Sequence, residues 1–207
     1  VIEKLVSVTP LAQNPFVLMG VSAGGMISQS YALAHQEQLK ALCLLATCPK
    51  FDGRLAFSQE IMKLFLTNPN LSDREKLTFC AYFLLEHIFS DMFFRKFKPV
   101  VYGMVEANIT ANSVGTYLGS ITDTDRGFDV TDRLGTLSIP TLIFVGLHDK
   151  MIETHHGVKL NQLIPNSKRY VLKGVHASHT FLVELFETFN EVLIAELEKI
   201  DAFEPSK

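Results

Sequence analysis

Three kinds of side chain in this sequence stand where a parallel sheet would gather chemistry. Ser22 follows the apolar run Phe16 to Gly20 in FVLMGVSAGG, Asp149 follows IPTLIFVG in GLHDK, and His176 and His179 both follow KRYVLKG. A serine hydroxyl is a weak nucleophile at neutral pH. It becomes effective when an imidazole takes its proton and a carboxylate holds that imidazole in one tautomer. The residue types are those of acyl transfer, and either histidine could reach Ser22 from the end of its strand. Gly20 and Gly24 flank Ser22 at the G-x-S-x-G spacing, where small residues relieve the crowding of a sharp strand-to-helix hinge. A helix beginning at Ala23 would turn its free N–H groups toward the site, with Ala23 N–H as one donor to a developing oxyanion. At typical residue usage such a string arises by chance only about 0.07 times in a chain this long. The competing readings are plainer: Ser22 as a helix N-cap in a tight turn, and Asp149 as a strand-ending cap.

Positioning these residues requires strands that end near one another. Phe16 to Gly20, Leu39 to Thr47 (LKALCLLAT), Ile139 to Gly146 and Lys168 to Gly174 read as strands, the second and third as continuous apolar runs. Ala23 to His35, Thr154 to Ile164 and a long amphipathic segment from His179 to Ile200 read as helices. Strands without alternation, joined through helices, imply a parallel sheet covered on both faces, an α/β fold. Between them residues 51–132 change character: they are helical and rich in Phe, and Ser72 with Glu75 forms a capping box. The expected organisation is a core of residues 1–50 and 133–207 interrupted by a helical insertion of residues 51–132. Some of the insertion's rings would form its own core, and some would face a shared apolar pocket.

Composition narrows the partners. The chain has 207 residues, 47% of them hydrophobic and 20% charged, with a formal net charge of -3. No basic stripe exists to displace counterions from phosphates, so no nucleic-acid partner is expected. The cysteines, Cys43, Cys48 and Cys80, are odd in number and two sit among apolar neighbours, as in a reducing compartment, and a cytoplasmic location is expected. Cys43 and Cys48 lack a metal spacing, and the pair His155–His156 reads as helix surface, so neither a metal nor a cofactor is expected. No apolar run approaches the ~20 residues of a membrane span. The opening VIEKLV reads like the tail of a helix, so the chain is expected to be a piece of a longer one.

The stretches GVSAGGMISQSYALAHQEQLKALCLLAT, FDVTDRLGTLSIPTLIFVGLHDKMI and GVHASHTFLVELFETFN resemble the α/β-hydrolases, in the branch of enol-lactonases, esterases and proline iminopeptidases. The resemblance covers most of the chain outside the insertion, which would be the family's cap by position. It implies the order nucleophile, acid, histidine: Ser22, Asp149 and a later histidine. His179 is followed by Glu184, Phe189 and Asn190 at the family's spacing and His176 is not, so the resemblance favours His179. It also implies further strands before the nucleophile strand and an early loop, often beginning His-Gly, that supplies a second oxyanion donor; this chain shows neither. Phe16 to Gly20 would then be an edge strand open to a missing N-terminal segment or a second copy. The expected activity is hydrolysis of a carboxylic ester, lactone or related acyl compound with a small apolar acyl substrate. The alternative is a ligand-binding module on the same scaffold.

Overall fold

The computed structural model describes residues 2–125 and 127–200. Four strands, β1 (Phe16–Val21), β2 (Leu39–Leu45), β3 (Thr141–Gly146) and β4 (Ser167–Leu172), form one sheet in the order β1-β2-β3-β4. All three pairings are parallel. A short helix α1 (Ile2–Ser7) precedes β1; α2 (Ala23–His35) links β1 to β2, and α8 (Thr154–Leu163) links β3 to β4. Five helices, α3 (Gly53–Leu66), α4 (Asp73–Ile88), α5 (Asp91–Lys96), α6 (Lys98–Ala111) and α7 (Val114–Asp125), separate β2 from β3. After β4 come α9 (Phe181–Glu184) and α10 (Phe186–Lys199).

The unbroken apolar runs of β2 and β3 divide by parity, because successive side chains of a strand point to opposite faces. Leu42, Leu44, Ile143 and Val145 pack with Tyr31, Leu160 and Ile164 of the α2 and α8 face. Cys43, Leu45, Leu142 and Phe144 pack with Phe181, Phe189, Leu193 and Leu197 of the α9 and α10 face. Both faces are covered, which is why neither strand alternates in sequence. β1 and β4 lie at the sheet's edges, and Met19 of β1 keeps 42% of its surface exposed.

The insertion has its own packing. Met62, Leu66, Leu77, Cys80, Tyr117 and Ile121 join α3, α4 and α7, while Ala81, Leu85, Phe89, Phe93, Val101 and Val105 join α4 to α5 and α6. α4 therefore carries two apolar faces, and its start is fixed by the capping box of Ser72 and Glu75. The two ends of the insertion are drawn together by an antiparallel bridge between Lys50 and Asp129, whose side chains also pair at 2.7 Å.

Three elements differ from the sequence expectation. β2 ends at Leu45, because Ala46 turns to φ 45° and leads the chain away from the sheet. β4 stops at Leu172, before Gly174 adopts φ 103°. The long C-terminal helix is broken at Leu185, with φ -125° and ψ 36°, where Glu184 turns inward to buried hydrogen bonds and Phe181 and Phe189 meet at 5.6 Å on the sheet side.

Close backbone approach explains three glycines, Gly20, Gly25 and Gly146, and the second of these is not the Gly24 expected from the G-x-S-x-G spacing. A Cβ at Gly20 would overlap Gly24 O and Ser28 Oγ, as the hinge requires. A Cβ at Gly24 would meet no described atom within 4 Å; the crowded neighbour is Gly25, 2.5 Å from Thr47 Cβ. At the end of β3, a Cβ on Gly146 would lie 2.6 Å from Ala177 O and closer still to Ser178 O. Gly146→Ala is therefore expected to push the 177–178 loop off the sheet and cost about 2–3 kcal/mol, a fall in Tm of roughly 5–10 °C. Gly24→Ala is expected to be neutral or to stabilise by up to about 1 kcal/mol, since helical glycine costs backbone entropy. Thermal melts of the two variants check both, and equal destabilisation would refute the assignment.

Candidate active site

Ser22 closes β1 with φ 52° and ψ -120°, a region L-residues rarely adopt. Its backbone is held from both sides. Ser22 N–H donates to Leu45 O at 2.9 Å, and Ser22 O accepts from Gly25 N–H at 2.9 Å and from the Thr47 hydroxyl at 2.7 Å. Ser22 occupies the N-cap position of α2, yet its side chain makes no capping hydrogen bond. The plain reading of Ser22 as a cap thus fails on geometry, and its hydroxyl is left for other work.

Asp149 sits on the turn after β3, 6% exposed, and both carboxylate oxygens are engaged. Oδ1 accepts from the backbone N–H of Met151 and of Ile152, each at 2.8 Å. Oδ2 accepts from His179 Nδ1 at 2.8 Å. His179 is itself only 5% exposed. With Nδ1 spent on the carboxylate, the imidazole presents Nε2 as its free nitrogen.

His176 goes elsewhere. Its Nδ1 lies 3.5 Å from both Ser90 Oγ and Glu184 Oε2, and its ring stays partly exposed. Of the two histidines the residues alone left open, the fold brings His179 to Asp149.

Glu184 was marked by spacing alone, but its surroundings are specific. Its side chain is 1% exposed and accepts from Ser90 N–H at 3.0 Å, from Ser178 Oγ at 2.5 Å and from Thr180 Oγ1 at 3.0 Å, with a further bond from Ser90 Oγ. Thr180 N–H also donates to Ile88 O at 3.1 Å. The residues on either side of His179 are therefore tied to the junction of α4 and α5 in the insertion. Ser90 gave no signal in the sequence, because it lies far along the chain in a segment read as an independent helical layer. Thr47 could have been found: a polar residue at the end of an apolar strand needs a partner.

Ser22, Ala23 and His179 line one cavity of about 250 Å³, roofed by Leu55, Met62 and Phe83 of the insertion. A larger concavity of about 410 Å³ on the insertion is lined by Tyr82, Glu86, Phe94, Lys98, Val101 and Tyr102 and holds neither a serine nor a histidine. Polar groups converging in an apolar pocket mark a site better than volume does. Most of the phenylalanines pack among themselves, as Phe89 and Phe93 do at 4.1 Å, and Phe51 and Phe83 reach the cavity. The cavity thus brings a hydroxyl near an imidazole that a buried carboxylate holds by Nδ1.

The cysteines offer no rival nucleophile. Burial pushes the thiols of Cys43 and Cys48 up to about 12 and that of Cys80 up to about 11, so no thiolate forms near neutrality. Of the pair His155–His156, His155 is exposed as expected, but His156 departs from the surface expectation. His156 is 5% exposed, burial holds its imidazole below the usual range, and its Nε2 lies 3.0 Å from Asp52 Oδ2. No helix among the described residues is long and apolar enough to cross a membrane.

Known proteins agree with this architecture. The chain is 29% identical over 197 residues to a proline iminopeptidase of Thermoplasma volcanium, covering 88% of this chain and 65% of that protein. It is 29% identical over 196 residues to a pimeloyl-(acyl-carrier protein) methyl ester esterase of Pseudoalteromonas atlantica, covering 83% of this chain and 68% of that one. The chain thus spans about two thirds of the length of these relatives. In shape it matches the enol-lactonase of Burkholderia xenovorans with a TM-score of 0.76 at 19% identity, over 95% of this chain and 70% of that one, a likeness that bears on the fold. The family described as alpha/beta hydrolase fold matches residues 1–184, in line with the four parallel strands and the strand-to-helix hinge at Ser22; the chain belongs to the α/β-hydrolase fold family.

Proposed function

We propose that the protein is a serine hydrolase of a carboxylic ester, lactone or related acyl compound, with Ser22 as nucleophile, His179 as base and Asp149 as the acid that orients it. The observation that carries this reading is the pairing of His179 Nδ1 with the buried Asp149 at 2.8 Å beside a cavity that also contains the uncapped, strained Ser22. In the reaction Ser22 Oγ attacks the carbonyl carbon as its proton moves to His179 Nε2, and a tetrahedral oxyanion forms. The Ala23 N–H, at the start of α2, donates to that oxyanion. Collapse of the intermediate expels the alcohol, which takes the proton from His179, and leaves an acyl-serine. Water then gives its proton to His179, attacks the acyl carbon, and releases the acid as Ser22 recovers its proton.

Relatives named as esterases support the choice of an ester among acyl substrates. The lining of Met26, Leu55, Met62 and Phe83 favours a small apolar acyl group. The insertion would act as the cap that closes over it. A second oxyanion donor would come from a part of the fold outside these residues, and removing one such donor typically costs about 100- to 1,000-fold.

In the full-length protein, Ser22→Ala is expected to lower kcat on p-nitrophenyl esters by about 10⁴-fold or more with Tm retained, and Asp149→Asn by about 10⁴-fold. His176→Ala should stay within several-fold of wild type, because His176 does not reach Asp149. Undiminished hydrolysis by Ser22→Ala would refute the nucleophile, and loss in His176→Ala equal to that in His179→Ala would refute the choice of base. Glu184→Ala should leave the buried Ser90 N–H unpaired and take a shared acceptor from the Ser90, Ser178 and Thr180 hydroxyls, at a cost of roughly 2–4 kcal/mol read in a urea melt. An unchanged midpoint would show that this carboxylate does not anchor the loop.

A further inference from the structure

We propose that Asp52, His155 and His156 form a binding site for a divalent transition-metal ion of the zinc class, joining the base of the insertion to α8. Asp52 is the N-cap of α3, where Oδ1 accepts from Leu55 N–H at 3.0 Å, and this fixes the other oxygen, Oδ2, outward toward α8. His155 Nε2 lies 3.3 Å and His156 Nε2 3.0 Å from that oxygen. The three donor atoms all fall within 4.8 Å of one another, the one such group of His, Cys, Asp and Glu among the described residues. Ligands bound to zinc at about 2.0–2.2 Å stand about 2.8–3.6 Å apart between octahedral and tetrahedral angles, so the two measured edges fit a shared ion.

With His155 neutral the cluster is one donor short, whereas a proton on that ring would satisfy both carboxylates and compete with an ion. A neutral imidazole has one N–H, yet His155 faces a carboxylate with each ring nitrogen: Asp52 through Nε2, and Glu153 through Nδ1 at 3.4 Å. If Nδ1–H donates to Glu153, the Nε2 lone pair meets the Asp52 oxygen, and a cation between them removes the clash of acceptors. A carboxylate on the far nitrogen of a ligating histidine is also how such ligands are commonly oriented. Of the nearby cations, Lys50 pairs with Asp129 at 2.7 Å, Arg54 pairs with Glu153, and Lys159 lines the same concavity. Two imidazoles and one carboxylate suit zinc, cobalt or nickel better than magnesium or calcium, which prefer oxygen. A concavity of about 370 Å³ beside Asp52, His155 and His156 gives an ion access and leaves room for water to complete its shell.

The site is separate from Ser22 but bound to it mechanically. Phe51 and Leu55 on one side, and Met151 and Ile152 on the other, line the Ser22 cavity within a few residues of these donors. An ion held here would fasten the insertion's root to the turn that carries Asp149.

The test is calorimetric titration of the metal-stripped full-length protein with ZnCl₂, with thermal melts alongside. One equivalent is expected to bind, and zinc at 100-fold over Kd should raise Tm by roughly 5–10 °C. Magnesium should give no shift. His155→Ala, at an exposed position, and Asp52→Asn should each weaken zinc binding by about 100-fold or more while folding normally, and Glu153→Gln by about 10-fold. No zinc uptake, uptake unchanged in His155→Ala and Asp52→Asn, or an equal shift with magnesium would overturn the proposal.

Discussion

The backbone of Ser22 is the constraint on which the rest of the arrangement turns. A serine held at φ 52° costs on the order of 1–3 kcal/mol. It persists because β1, β2 and α2 each fix part of it: Leu45 O takes its N–H, Thr47 donates to its carbonyl, and Gly20 and Gly25 let the helix and strand come close enough for both. The Thr47 contact depends in turn on Ala46 leaving the sheet at φ 45°. Stable pairing of the first two strands is thus a condition for presenting the hydroxyl at all.

The other half of the site is assembled by the same close approach. Gly146 lets the 177–178 backbone rest against the end of β3, and His148 N–H donates to Ala177 O at 2.8 Å, which brings the histidine loop beside the aspartate turn. Asp149 uses one oxygen to order its own turn and the other to order His179. Glu184 then fastens the loop that carries His179 to Ser90 of the insertion, so the insertion and that loop share a buried carboxylate. Removing the insertion would leave that carboxylate short of partners.

Much of this was legible in the sequence, for physical reasons that can be named. Ala23–His35 showed its apolar spacing and was bounded by a glycine hinge, and the apolar runs of β2 and β3 had no reading other than strands covered on both faces. Ser22 and Asp149 were visible because each ends such a run. The choice between His176 and His179 was not visible in the residues themselves, since it rests on a loop conformation set by Gly146 and Glu184. The same holds for the break at Leu185, where local amphipathicity continued and an inward hydrogen-bonding carboxylate stopped the helix. His156 was misjudged as surface because its partner, Asp52, lies far away in sequence at the root of the insertion. Gly24 was credited with a steric role that belongs to Gly25, a distinction that only the position of Thr47 makes.

The proposed chemistry requires Ser22 to be a nucleophile activated by His179. The direct measurement is peptide-level mass spectrometry of the full-length protein after treatment with a fluorophosphonate, run beside His179→Ala. The account requires a single adduct mapped to the peptide containing Ser22, with labelling slowed by about 10³-fold or more in the variant. An adduct on another residue, or labelling of Ser22 at an unchanged rate in His179→Ala, would contradict it.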